Sequence, residues 1–160
     1  FVIPCGSTVI NAYANSANTQ SGINADAILR RMISRYLLGD NKCSPNAVAF
    51  TATIKAHSAA INATLSDNSE DSKQLIQSSA TRCEDLLQQL CLLRRSHGKD
   101  QSLKPTSVTF DLVLCVLAQA EDFDAVERVK RLRDEESSSY VVERVKKLRD
   151  EVTSKTSSKR

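Results

Sequence analysis

Apolar side chains return every three or four residues over most of this chain. The spacing predicts its clearest helix over residues 25–38, where Ala25, Ile28, Leu29, Met32, Ile33, Tyr36 and Leu37 share one face and Arg30, Arg31 and Arg35 the other. Gly39-Asp40-Asn41 supplies the stop, because glycine and asparagine readily leave a helix through the left-handed region. A shorter helix is expected over residues 4–16, with Val9, Ile10, Tyr13 and Ala17 in a stripe, and a polar turn carrying Gly22 over residues 15–24. Together these make a helical hairpin.

The pattern then repeats. Residues 46–60 read as a helix, and so do residues 80–95, whose apolar face is Leu86, Leu87, Leu90 and Leu93. Between them residues 61–79 are rich in Ser, Asn and Asp and read as a disordered or partly helical insertion. Lengthening an interhelix loop from ~4 to ~20 residues costs only about 1.4 kcal/mol. One buried leucine returns roughly 1.5–3 kcal/mol, so the hairpin survives the insertion. Thr106 and Ser107 are candidate caps for a third unit, with Val113, Leu114 and Leu117 on its first helix and Phe123, Val126, Val129 and Leu132 on its second. The short connection over residues 119–122 suits an antiparallel pair.

The last quarter changes character, since residues 120–160 hold 21 of the 41 charged side chains. VERVKRLRDE (residues 126–135) recurs as VERVKKLRDE (residues 142–151), with Glu127/Arg131 and Glu143/Lys147 as favourable i,i+4 pairs. A shift of 16 residues turns the second copy by about 160° on a straight helix, which would leave one Val/Val/Leu stripe in water. A break at Ser137-Ser138-Ser139 is therefore expected, followed by a polar basic end.

Composition narrows the class further. Aromatics are 4%, Trp is absent, and four Gly and three Pro leave few hairpin turns, so an all-α fold is expected. The net charge of +3 is compatible with a polyanion without pointing to one. Five cysteines without CxxC or Cys/His ligand spacing read mostly as small buried hydrophobes in a reducing compartment. No apolar run approaches the roughly 20 residues that span a bilayer, so no membrane partner is expected. His57, expected half-buried, and His97, expected in a loop, have no nucleophile or carboxylate at catalytic spacing, and Asn62-Ala63-Thr64 is a chance glycosylation match. With no metal cluster and no Gly-rich phosphate loop, no enzyme and no cofactor are predicted. The chain opens on Phe1 rather than Met, and FVIPCGSTV reads as the interior of a repeat, so a piece of a longer protein is expected.

Three registers agree across the chain. PNAVAFTATIKAHS (residues 45–58) returns as PTSVTFDLVLCVLA (residues 105–118), pairing Pro45/Pro105, Val48/Val108, Phe50/Phe110 and Ile54/Leu114. STVINAYANS (residues 7–16) aligns with residues 51–60, setting Ile10, Ala12 and Tyr13 against Ile54, Ala56 and His57. A Pro-Asn or Pro-Thr at each seam, followed by a small residue, Val, a small residue and Phe, resembles the pentatricopeptide repeat, as do INAYANS and ADAILRRM as helix cores. The resemblance covers roughly residues 3–135. It departs from the family in its expanded loops, in the opening Ile3-Pro4-Cys5-Gly6 without an aromatic, and in a third unit without a closing Pro-Asp/Asn.

The resemblance implies a right-handed α-solenoid of antiparallel helix-turn-helix repeats. Its units are residues 3–46 (degenerate or truncated), 47–106 (carrying the insertion 61–79) and 107–136, with residues 137–160 as a charged duplicated helix and basic tail. It also implies single-stranded RNA as partner, at about one base per repeat, in organellar processing, stability or translation within a mitochondrion or plastid. Carried over, the base-reading positions are Ser7 with Asn46, Thr51 with Thr106, and Asp111 without a partner. The packing positions are Val48 and Val108, with Pro4 standing in for the first. Ser7 with Asn46 points to a purine, adenine by the family's code, while Thr51 with Thr106 is an unusual pair with no assigned base.

Simpler readings stand beside these. Ser7, Thr51 and Asp111 suit ordinary first turns, and Val48 and Val108 suit hydrophobic staples. Arg30, Arg31, Arg35, Arg94, Arg95 and Lys104 suit either phosphates or a merely solvated face. The alternative function is a protein-interaction scaffold of the tetratricopeptide-like kind, with other proteins as partners.

Overall fold

A computed structural model describes the chain except residues 1–5, 17, 41, 43, 99 and 158–160 and the side chains of residues 139–141, 143–144, 148 and 151–157. Its described residues form six α-helices: α1 (Gly6–Ala14), α2 (Ser21–Leu37), α3 (Ala47–Thr64), α4 (Glu70–Ser96), α5 (Ser107–Gln119) and α6 (Phe123–Ser157). A 3₁₀ turn, Gln101–Leu103, lies between α4 and α5, and the described residues include no strand. The all-helical class expected from composition holds. Contacts divide the chain into two units, Phe1–Val126 and Glu127–Arg160.

In the first unit α3 is the centre, packed against α1, α2, α4 and α5, while α1 also meets α2 and α4 meets α5. Its sequence explains the position. Ala47, Ala49, Ala52, Ala56 and Ala60 are buried around a helix that also buries Phe50, Ile54 and Ile61, so neighbours approach it from several sides. Leu29 from α2, Leu86, Leu87 and Leu90 from α4, and Val113 and Leu117 from α5 complete the core. Phe50 and Phe110, matched in the sequence echo, are both buried.

The helix ends follow side-chain chemistry. Asn46 Oδ1 accepts from the Ala49 N–H at 2.9 Å, and Thr106 caps α5 in a reciprocal box with Thr109. Gly39 (φ +90) leaves α2 through the left-handed region, as its predicted stop requires, and Gly98 (φ +67) does the same after α4.

Two expectations are corrected and one is narrowed. The polar insertion over residues 61–79 takes the partly helical of its two readings, because α3 continues to Thr64 and α4 starts at Glu70. Its Ser/Asp content encodes a cap: Asp67 accepts from the hydroxyls of Ser69 and Ser72, each at 2.9 Å, and Ser69 Oγ accepts from the Ser72 N–H. Glu70 and Asp71 then favour the helix start. Gly22 is not in a turn but is buried in the first turn of α2, where the His57 ring leaves no room for a side chain. The break expected at Ser137-Ser138-Ser139 does not occur, since α6 runs through all three. Its first copy has Val129 only 1% exposed, whereas Val142 and Val145 of the second are 54% and 59% exposed. The rotation argument holds for these valines, and the helix exposes them instead of breaking.

Candidate functional site

Helices α1, α3 and α5 are the first helices of the three sequence units, and α3 contacts both of the others. A groove of about 240 Å³ opens along them, lined by Asn11, Ala47, Val48, Thr51, Ala52, Lys55, Thr106 and Val108. Four sequence-predicted residues therefore meet at one place: Thr51 and Thr106 from the base-reading set, and Val48 and Val108 from the packing set. The two valines are 60% and 58% exposed, so they are open apolar surface and not staples folded onto a following helix.

Local register explains the convergence. Each valine stands in the first turn after a seam proline, and Pro45 and Pro105 are both buried. Thr51 follows Val48 by three residues and so shares its face. The other predicted positions do not line the groove. Asn46 is engaged as the cap of α3, Ser7 is half-buried in the first turn of α1, and Asp111 is exposed on α5. Pro4 lies outside the described residues.

Sequence reasoning missed Asn11 and Lys55. The signal was present, because Asn11 aligns with Lys55 in the internal echo, one helical turn beyond Ser7 and Thr51 respectively. Lys55 is exposed and reaches the Asn15 amide oxygen at 3.1 Å, which leaves its positive charge uncompensated by that partner.

The threonines are hydrogen-bonded to one another. Thr51 Oγ1 lies 2.7 Å from the Ala47 carbonyl oxygen and 2.8 Å from Thr109 Oγ1. Thr109, fully buried, lies 3.1 Å from Thr106 Oγ1 and accepts from the Thr106 N–H at 3.2 Å. A hydroxyl chain thus joins α3 to the cap of α5, linking the two members of the predicted Thr51/Thr106 pair through a third residue.

The basic residues take different roles from one another. Arg30 pairs with Asp26 at 2.8 Å, Arg35 with Asp40 at 3.5 Å, and Arg94 is buried instead of solvated. Arg82 donates to Asp26 through Nε at 3.0 Å and Nη2 at 2.8 Å, tying α4 to α2. Beside this network His57 is 4% exposed, with neither ring nitrogen hydrogen-bonded. Burial pushes its pKa down to about 4; Asp26 pulls it up, while Arg82 and Arg30 push it further down. His97 bonds the Leu93 carbonyl and tilts against Tyr36 with ring centroids 5.1 Å apart.

Cys83 and Cys91 are buried, as expected, but Cys115 is exposed, and Cys5 and Cys43 lie outside the described residues. Among the described residues no group of three or more His, Cys, Asp or Glu is arranged to hold a metal, and no helix is long and apolar enough to cross a membrane. No family model, curated protein or solved structure matches the chain.

Proposed function

We propose that the chain is a pentatricopeptide-like RNA-binding protein whose helical pairs stack as a right-handed α-solenoid, with single-stranded RNA lying in the groove of the first helices. The observation that supports it best is the meeting of Val48, Thr51, Thr106 and Val108 in one groove, from positions named by the internal repeat. In this reading the valines pack on base faces, the threonine hydroxyls meet base edges, and Lys55 attracts a phosphate. No catalytic step and no cofactor are assigned. The setting is organellar, in a mitochondrion or plastid, where the protein contributes to RNA processing, stability or translation.

Fluorescence anisotropy of labelled single-stranded octaribonucleotides at low salt tests the reading. Binding is expected to be weak and to fall further with Val48→Ala and Thr51→Ala. Unchanged affinity in both variants would place the RNA elsewhere.

A second reading has an observation of its own. Among the described residues no aromatic ring lines the groove, and its surface is mainly aliphatic, which suits a peptide in a tetratricopeptide-like scaffold. Stable protein partners recovered after nuclease treatment, together with no RNA binding, favour it.

A further inference from the structure

Proton counting along the threonine chain gives the groove a chemical polarity. A hydroxyl has one proton and two lone pairs. Thr51 lies 2.7 Å from the Ala47 carbonyl, which can only accept, so Thr51 donates there. The Thr51/Thr109 contact at 2.8 Å then requires Thr109 to donate to Thr51. With its proton used, Thr109 accepts from the Thr106 N–H and, at 3.1 Å, from the Thr106 hydroxyl. Thr106 in turn accepts the Thr109 N–H at 3.3 Å. No other direction satisfies every contact.

All three protons are thereby committed inside the protein. Thr51 and Thr106 each keep one lone pair, and both line the groove. We propose that Thr51 and Thr106 form an acceptor-only reading pair, set by the buried Thr109, that selects a base offering an amino group. The proposal rests on the RNA-binding reading above. Adenine and cytosine each present an exocyclic amino donor to such a pair, and guanine presents its own. Uracil offers carbonyl oxygens beside a single ring N–H, so its lone pairs face lone pairs.

The experiment compares octaribonucleotides that differ only in the amino group. One pair is all-cytidine against its 4-deamino analogue zebularine; the other is all-adenosine against purine riboside. An all-uridine octamer completes the panel, measured by anisotropy with the full chain. The amino-bearing member of each pair is expected to bind about three- to tenfold tighter, the range of one net hydrogen bond. Uridine is expected to be weakest.

Thr109→Val keeps the shape but frees the Thr106 proton for donation, so the amino advantage is expected to shrink and uridine to gain. A circular-dichroism melt checks its fold. Should this buried variant fail to fold, Thr51→Val at the half-buried position removes one acceptor and is expected to reduce the advantage as well. Equal binding within each pair, a uridine preference, or an amino advantage unchanged in the folded variants overturns the acceptor-only pair while leaving RNA binding in place. Failure of every octamer to bind removes the RNA-binding reading and this inference together.

Discussion

Gly22 and His57 meet where α2 crosses α3, and each restricts what the other may become. A Cβ added at Gly22 would stand 2.7 Å from His57 Cγ and 2.9 Å from Cε1, inside any real carbon contact. The ring is enclosed and cannot swing away into solvent. Gly22→Ala is therefore expected to destabilise the protein by about 1–3 kcal/mol despite the better helix propensity of alanine, read as a fall in thermal midpoint.

The imidazole itself makes stability depend on pH. Its pKa drops from the ordinary 6.5 to about 4 on folding, so the unfolded chain binds more protons between those values. The contribution is complete above pH 6.5 and is lost progressively as pH falls toward 4, by roughly 3 kcal/mol in all. Asp26, Arg82 and Arg30 face the ring, with Asp26 paired to both arginines at 2.8 Å. Denaturant melts at pH 7 and pH 4.5 are expected to differ, and His57→Phe to remove much of the difference.

None of this restraint was legible in the sequence. A glycine among polar residues reads equally well as a turn, and only the approach of α3 shows that its missing side chain is the point. Thr51, Val48, Thr106 and Val108 were legible, because the seam prolines fix their register. Asn11 and Lys55 are harder to see, because the echo is clearest at its apolar and first-turn positions.

At the scale of elements, apolar periodicity located most buried positions, although Leu37 and Phe123, assigned to apolar faces, are 66% and 69% exposed, while polar stretches were ambiguous. Residues 61–79 look disordered by composition, yet Asp67, Ser69 and Ser72 bond one another to start α4 near Glu70. Serine and aspartate stabilise either a loop or a cap, and composition alone does not separate the two. In α6 the opposite holds: the periodicity is a sound guide, but three serines break a helix less readily than their clustering suggests. Serine disfavours a helix interior by only about half a kcal/mol per residue, less than breaking the hydrogen-bond ladder costs. The two copies of one decapeptide consequently sit in different environments. Val129→Glu is expected to cost about 3 kcal/mol or more, since a charge enters a buried site without a partner. The equivalent change in the second copy, Val145→Glu, is expected to stay within about 0.5 kcal/mol. Thermal melts of the two variants separate them directly.

For the whole molecule, charge and groove are separable along the chain. Residues 137–160 contain seven basic and three acidic side chains, a net +4, so the first 136 residues carry −1 against +3 for the full chain. Every residue lining the groove lies within Phe1–Val126. Long-range attraction of a polyanion follows net charge and weakens with salt, whereas recognition of a base edge depends on neighbouring lone pairs and apolar contacts. Removing residues 137–160 is therefore expected to weaken octaribonucleotide binding at low salt and to flatten its dependence on salt concentration. The ratio between amino-bearing and deaminated octamers is expected to stay the same, because Thr51, Thr106 and Thr109 are untouched. Anisotropy titrations of both lengths at several salt concentrations measure slope and ratio independently. A truncated chain that lost the ratio along with the slope would tie discrimination to the tail, and the groove would then be only a fold feature.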